Sequence, residues 1–147
     1  MAFTSVFIHL VWSAKYRYPQ LNQALRANVF PYIGGLVQDM HARPIAINGV
    51  ADHVHALVQL PTTVCIAELV QKAKGQSARW ANEKAQSHVL QWQVKYGAFS
   101  VNPRDFEMVR QYILNQERHH ATTSFKVEMK KMLDDAKISY DERFMWE

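Results

Sequence analysis

The stretch PIAINGVADHVHALVQLP, residues 44–61, decides how this chain folds. Pro44 to Asn48 (PIAIN) is apolar and partly β-branched and reads as a strand. Asn48-Gly49 is a turn signal. A further strand runs from about His53 to Leu60 and stops at Pro61, whose missing N–H ends the ladder. Upstream, Thr4 to Ser13 alternates Val6, Ile8, Leu10 and Trp12 against Phe7, His9 and Val11, a strand period. Lys15 to Pro19 (KYRYP) is a basic, aromatic turn. From Leu21, apolar residues recur at Leu25, Val29, Ile33, Leu36, Val37 and Met40 with a helical period, and Pro31 is expected to kink or interrupt that helix.

Downstream, Thr62 or Thr63 is expected to cap a second helix from about Ile66 to the mid-80s. A fourth strand lies within Val94 to Val101. Asn102-Pro103 starts a third helix that carries Phe106, Val109 and Ile113 on one face and reaches about His120. A fourth follows at Phe125 to Ala136, with Phe125, Glu128, Met129, Met132 and Leu133, and the tail SYDERFMWE ends the chain. Strand, helix, strand, strand, helix, strand is the split βαβ order. The expected fold is α+β and ferredoxin-like: an antiparallel sheet with two helices on one face, plus a tyrosine-bearing C-terminal helix and tail. The other face is left for a ligand, a partner or those extra helices.

At 147 residues the chain fits one domain, 1–147. It is 48% hydrophobic and 20% charged, which excludes a disordered chain. One cysteine, Cys65, excludes a disulfide scaffold and suits a reducing compartment. No apolar run is long enough to span a membrane, and the N-terminus lacks a basic region of the signal-peptide kind, so a cytoplasmic protein is expected. The net charge is +4, a mild excess that fits nucleic acid without requiring it. Its distribution says more. Lys15, Arg17, Lys72, Lys74, Arg79 and Lys84 form two clusters with few acids between them.

Seven histidines make metal chemistry worth testing. His53 and His55 flank Val54, so both point to one face of a strand, with Cα atoms about 6.6 Å apart. Alone, such a pair is equally the solvent-facing side of a half-buried strand. Tyr112 and Gln116 lie one helical turn apart, on a polar stripe that His119 and His120 extend. A metal held by His53, His55 and the Gln116 side-chain oxygen would keep open positions for a phosphate, with Tyr112 beside it. A cation there polarises a phosphoryl oxygen and offsets the charge that develops in transfer. A tyrosine nucleophile has one advantage over water. The phosphotyrosine ester keeps the energy of the broken phosphodiester, so strands can be rejoined without ATP. Asp52 is placed either to orient His53 or to serve the turn before the strand. His9 shares the parity of Phe7 and Val11 and lines the site's face if the first and third strands are neighbours.

ADHVHALVQLP resembles the His-hydrophobic-His signature of rolling-circle and transposition nucleases. VRQYILNQERHH resembles the tyrosine helix of the single-tyrosine transposases of the insertion-sequence 200/605 (IS200-like) family, with Tyr112 and Gln116 in its Y-x-x-x-Q. HLVWSAKYRYP, QWQVKYGAFSV and YDERFMW are similar too, so the likeness runs over roughly residues 3–147. The resemblance implies a ferredoxin-like domain and a metal-dependent DNA transposase. It implies Tyr112 as the nucleophile of a 5′-phosphotyrosine link to single-stranded DNA, with a 3′-hydroxyl freed. It implies His53, His55 and Gln116 as ligands of Mg²⁺ or Mn²⁺, and a homodimer that recognises hairpins near element ends.

DNA contacts are expected from Lys15, Tyr16 and Arg17, which offer charge and stacking faces, and from Lys72, Lys74 and Arg79 on the second helix. The alternative for each cluster is a solvated face. Trp80 and Trp92 read as core. Two other functions stay open on the residues alone. One is a non-catalytic ferredoxin-like nucleic-acid-binding module, and the other is a metal-dependent hydrolase of small phosphoesters.

Overall fold

A computed structural model describes residues 2–146; Met1 and Glu147, the outermost residues of the expected domain and tail, lie outside the described residues. The strands are β1 (Phe7–Ser13), β2 (Arg43–Val50), β3 (His53–Gln59) and β4 (Gly97–Val101). The helices are α1 (Gln23–Asp39), α2 (Ile66–Ala85), α3 (Phe106–Leu114), α4 (Gln116–His120) and α5 (Phe125–Asp135). The sheet runs β2-β3-β1-β4 with every neighbouring pair antiparallel. This is the α+β, ferredoxin-like arrangement that the order of elements implies.

Alternation along the two central strands gives the sheet two different faces. Ile8, Leu10 and Trp12 of β1 and Val54, Ala56 and Val58 of β3 pack with Val29, Phe30, Ile33 and Val37 of α1 and with Leu69, Val70 and Ala73 of α2. This face holds the main core, and Trp92 joins it, edge-on to Trp12 at 5.9 Å. Trp80 is half-buried and stacks on Tyr32 at 4.4 Å. On the opposite face Ala46 and Leu57 meet Ile113 of α3, with Phe7, Phe106, Val109 and Tyr112 around them. The C-terminal helices therefore cover the face that α1 and α2 leave free.

Several local expectations are corrected. The turn between β2 and β3 is Ala51-Asp52, not Asn48-Gly49, which lies inside β2. Gly49 is there for space: a Cβ would meet the His53 carbonyl oxygen at 2.1 Å. Asn48 is there for its amide, which donates to the carbonyls of Ile113 at 3.0 Å and Leu114 at 3.2 Å. Those carbonyls end α3, so the single helix expected to reach His120 is broken at Asn115 into α3 and α4. Pro31 does not interrupt α1, because its ring is exposed and buried anchors flank it on both sides. Cys65, rather than Thr62 or Thr63, caps α2; its Sγ accepts from Glu68 N at 3.4 Å.

Candidate active site

β1 and β3 pair with Ser13 opposite His53, Val11 opposite His55 and His9 opposite Leu57. His9, His53 and His55 therefore share the face that α3, α4 and α5 cover. His53 and His55 are fully buried and His9 is 6% exposed, so each ring must find a partner. Glu128 of α5, 4% exposed, supplies the hub. Its Oε1 lies 2.9 Å from His55 Nε2, 3.1 Å from His120 Nε2 and 3.3 Å from His53 Nε2. Its Oε2 accepts from the Tyr112 hydroxyl and, at 3.2 Å, from Gln116 Nε2. Gln116 is fully buried, and its Oε1 lies 3.0 Å from His53 Nε2. Tyr112 Oη is also 3.4 Å from His119 Nε2, and the Tyr112 ring meets the His55 ring edge-on at 5.8 Å.

The structure thus brings Tyr112, His53, His55, Gln116 and His9 together within one chain, although α3 ends before Gln116. The i, i+4 spacing survives the break because α4 resumes with Gln116 as its first residue. Asp52 fills both roles open to it. It sits in the turn, and its Oδ1 lies 2.7 Å from His53 Nδ1. Two residues of the cluster, His120 and Glu128, are absent from the expected set. The signal for Glu128 was a lone carboxylate on the apolar side of α5, between Phe125 and Leu133. The signal for His120 was the His119-His120 doublet after Gln116.

Proton positions follow from the partners. A carboxylate only accepts, so His55 Nε2 donates to Glu128 and His55 Nδ1 must accept from His9 Nε2, 2.7 Å away. Burial lowers His55 to about 4 despite Glu128, and burial with the neighbouring His55 lowers His9 to about 3. Both stay neutral at ordinary pH, as this chain of bonds requires. Burial opposes charge on His53 as well, but its bonds to Asp52 and Glu128 outweigh that and raise it to about 9. Burial would raise Glu128, yet the bonds from His120, His53 and His55 hold it far below the carboxylate range. Burial and the contact with Glu128 push the Tyr112 phenol upward.

The donor chemistry suits a divalent cation. His53, His55, His120 and Glu128 each offer an atom within 4.8 Å of the others.

The expected DNA contacts fall in two places. In the KYRYP turn, Tyr16 and Arg17 take left-handed backbone angles, with φ of 54° and 59°. Tyr16 is exposed and pairs with Tyr18 at 5.9 Å, and Lys15 Nζ lies 5.4 Å from the Tyr16 ring centre. Arg17 lies over Trp146 of the tail and lines a cleft of about 500 Å³ together with Asp52, His120 and Phe125. On α2, Arg79 is exposed and bonds Glu83 one turn on, and Lys72 is half-buried. Lys74 is committed elsewhere. Its ammonium donates to the carbonyls of Val94 at 3.0 Å and Lys95 at 3.2 Å, and burial lowers it to about 8. Among the described residues no helix is long and apolar enough to cross a membrane.

The chain is similar to known proteins in fold and in sequence. The fold is similar to that of a candidate transposase from Deinococcus radiodurans R1, with a TM-score of 0.63 and 22% identity over 78% of this chain and 93% of that one. It is also similar to a REP-associated tyrosine transposase bound to a REP hairpin, with a TM-score of 0.62 and 14% identity over 84% of this chain and 73% of that one. No protein of curated function matches the chain in sequence. A family model described as "Transposase IS200 like" matches residues 2–116, from the first strand through Tyr112 to Gln116. The chain belongs to the IS200-like transposase family.

Proposed function

We propose that this transposase cuts and rejoins single-stranded DNA at hairpin-marked element ends through a covalent bond to Tyr112. The supporting observation is the position of the Tyr112 hydroxyl, which is hydrogen-bonded into the same buried cluster as His53, His55 and Gln116 of its own chain. In the proposed reaction the Tyr112 oxygen attacks the phosphorus of a phosphodiester. The bond from phosphorus to the 3′ oxygen breaks, and the phenolic proton ends on the released 3′-hydroxyl. The product is a 5′-phosphotyrosine, and a 3′-hydroxyl can reverse it with another strand as acceptor.

His53, His55 and Gln116 would hold Mg²⁺ or Mn²⁺, which supplies Lewis-acid polarisation of a phosphoryl oxygen when bound. Asp52 prepares His53 for that role by taking its Nδ1 proton as a hydrogen bond, which turns Nε2 toward the cluster. His9 serves His55 in the same way, and its neutral ring can accept once His55 carries its proton on Nδ1. Buried aromatic neighbours, including Phe125 stacked on His53 at 4.3 Å, keep water from competing for the phosphate.

Lys15, Tyr16 and Arg17 would receive the strand near the site; the cleft that Arg17 shares with Asp52 and His120 supports this for Arg17. Exposed rings with adjacent cations suit unpaired bases. Lys72, Lys74 and Arg79 would meet hairpin phosphates along α2, with Lys74 contributing least because two carbonyls already engage it. The hairpin bound by the REP-associated relative supports hairpin DNA as the substrate. We take the working unit as one domain in the cytoplasm, assembled as a homodimer. Incubating the protein with single-stranded hairpin DNA and Mn²⁺ tests the reading. A protein–DNA adduct that survives denaturation is expected, and cleavage that releases both fragments free of protein would point to a hydrolase instead.

A further inference from the structure

We infer that His120 of α4 and Glu128 of α5 are ligands of the metal at this site, so that a carboxylate on the last helix ties the ion to the nucleophile. The inference deepens the metal-dependent transposase reading and rests on it. Both residues lie beyond residue 116, where the family match ends, so the match itself does not supply them.

The orientation of three imidazoles carries the argument. A metal-binding histidine usually anchors one ring nitrogen on a nearby acceptor and presents the other to the ion. His53 anchors Nδ1 on Asp52 at 2.7 Å. His120 anchors Nδ1 on the Thr123 carbonyl at 2.5 Å. His55 has Nδ1 at 2.7 Å from His9 Nε2, which donates here and would accept instead once the His55 proton moved to Nδ1 to free Nε2 for an ion. All three then aim Nε2 at one point, which Glu128 Oε1 occupies at 2.9, 3.1 and 3.3 Å. One ligand atom from each of His53, His55, His120 and Glu128 also lies within 4.8 Å of the others, a span that a single ion's ligands fit.

The Glu128 carboxylate has a second oxygen, and it faces the Tyr112 hydroxyl and the Gln116 amide. One side chain therefore touches the metal-facing nitrogens and the attacking oxygen together. An ion at this point would gain a negative ligand that Gln116 cannot offer. Three imidazoles and one carboxylate also favour Mn²⁺, Co²⁺ or Zn²⁺ over Mg²⁺, which prefers oxygen ligands and retained waters.

The test is Mn²⁺ binding to the full chain by calorimetry, with the visible absorption of Co²⁺ as a second readout and thermal melts as a folding control. Wild type should bind one Mn²⁺ per chain. Glu128→Gln keeps shape and hydrogen bonding but removes the charge, and should weaken Mn²⁺ at least about tenfold and alter the Co²⁺ bands. His120→Gln should do the same and stands in if the first variant fails to fold. If both variants bind Mn²⁺ like wild type while His55→Ala loses it, the inference is wrong and the metal reading stands. If wild type binds no Mn²⁺, both fall together, and the Tyr112 adduct assay still judges the nucleophile separately.

Discussion

The two faces of this sheet are built from alternate residues of the same strands, yet they are opposite kinds of interior. On one face Ile8, Leu10, Trp12, Val54, Ala56 and Val58 meet α1 and α2 through apolar contact. On the other His9, His53 and His55, only one residue out of step, meet α3, α4 and α5 through hydrogen bonds centred on Glu128. Burial on the first face stabilises the fold by removing hydrocarbon from water, roughly 1.5–3 kcal/mol for each large side chain. Burial on the second opposes folding unless every polar group is matched. On the proposed function the histidine face serves chemistry, and the apolar face, with the smaller cluster of Ala46, Leu57 and Ile113 beside the histidines, supplies the stability that lets it exist.

This contrast predicts a double dissociation. Tyr112→Phe removes one oxygen from the polar face. It should abolish the DNA adduct, a loss of at least about a thousandfold in rate, or roughly 4 kcal/mol at the transition state. Its thermal melt and its hairpin affinity should stay near wild type. Leu10→Ala, on the apolar face, should do the reverse. It should cost about 2–5 kcal/mol of stability and lower the melting temperature by about 5–15 °C. Adduct formation by the folded fraction should persist. If Leu10→Ala were the more damaging to catalysis at low temperature, the division between the faces would be wrong.

Smaller changes sharpen the contrast. Asp52→Asn leaves His53 and His55 in place but weakens the acceptor behind His53. It should reduce Mn²⁺ affinity about 10–100-fold in calorimetry, with little effect on hairpin binding. Arg79→Ala, on the exposed side of α2, should change stability by less than about 0.5 kcal/mol, because its ion pair with Glu83 is solvated. If Arg79 meets a phosphate, the same variant should lower the salt slope of hairpin binding by about one. An unchanged slope would remove Arg79 from the DNA surface.

What the sequence reveals follows the same division. Period-2 alternation in residues 4–13 and 53–60 and the helical period of α1 and α2 locate the apolar face, since burial writes itself as a regular pattern. The spacings of His53 with His55 and of Tyr112 with Gln116 are visible in the sequence, but each pair alone reads equally as surface, and only the resemblance to a known family joined them into one expected site. The partners that Glu128 and His120 find in the cluster are not visible there, because both residues reach it from helices whose placement depends on the whole fold. Asn48-Gly49 misleads for a related reason. Its two residues suit a turn, but here the Asn48 amide serves the end of α3 and Gly49 makes room for the His53 carbonyl. Both demands come from tertiary neighbours and leave no local mark.

The decisive measurement is a denaturing gel of the protein with a 3′-labelled library of single-stranded hairpins and Mn²⁺, run beside Tyr112→Phe. The 3′ label follows the fragment that carries the new 5′ phosphate. Wild type should shift that label to the mass of a protein–DNA adduct, and Tyr112→Phe should leave it unshifted while still binding hairpins in a native gel. A covalent adduct of equal strength in the Tyr112→Phe lane would contradict the assignment of Tyr112 as the attacking group.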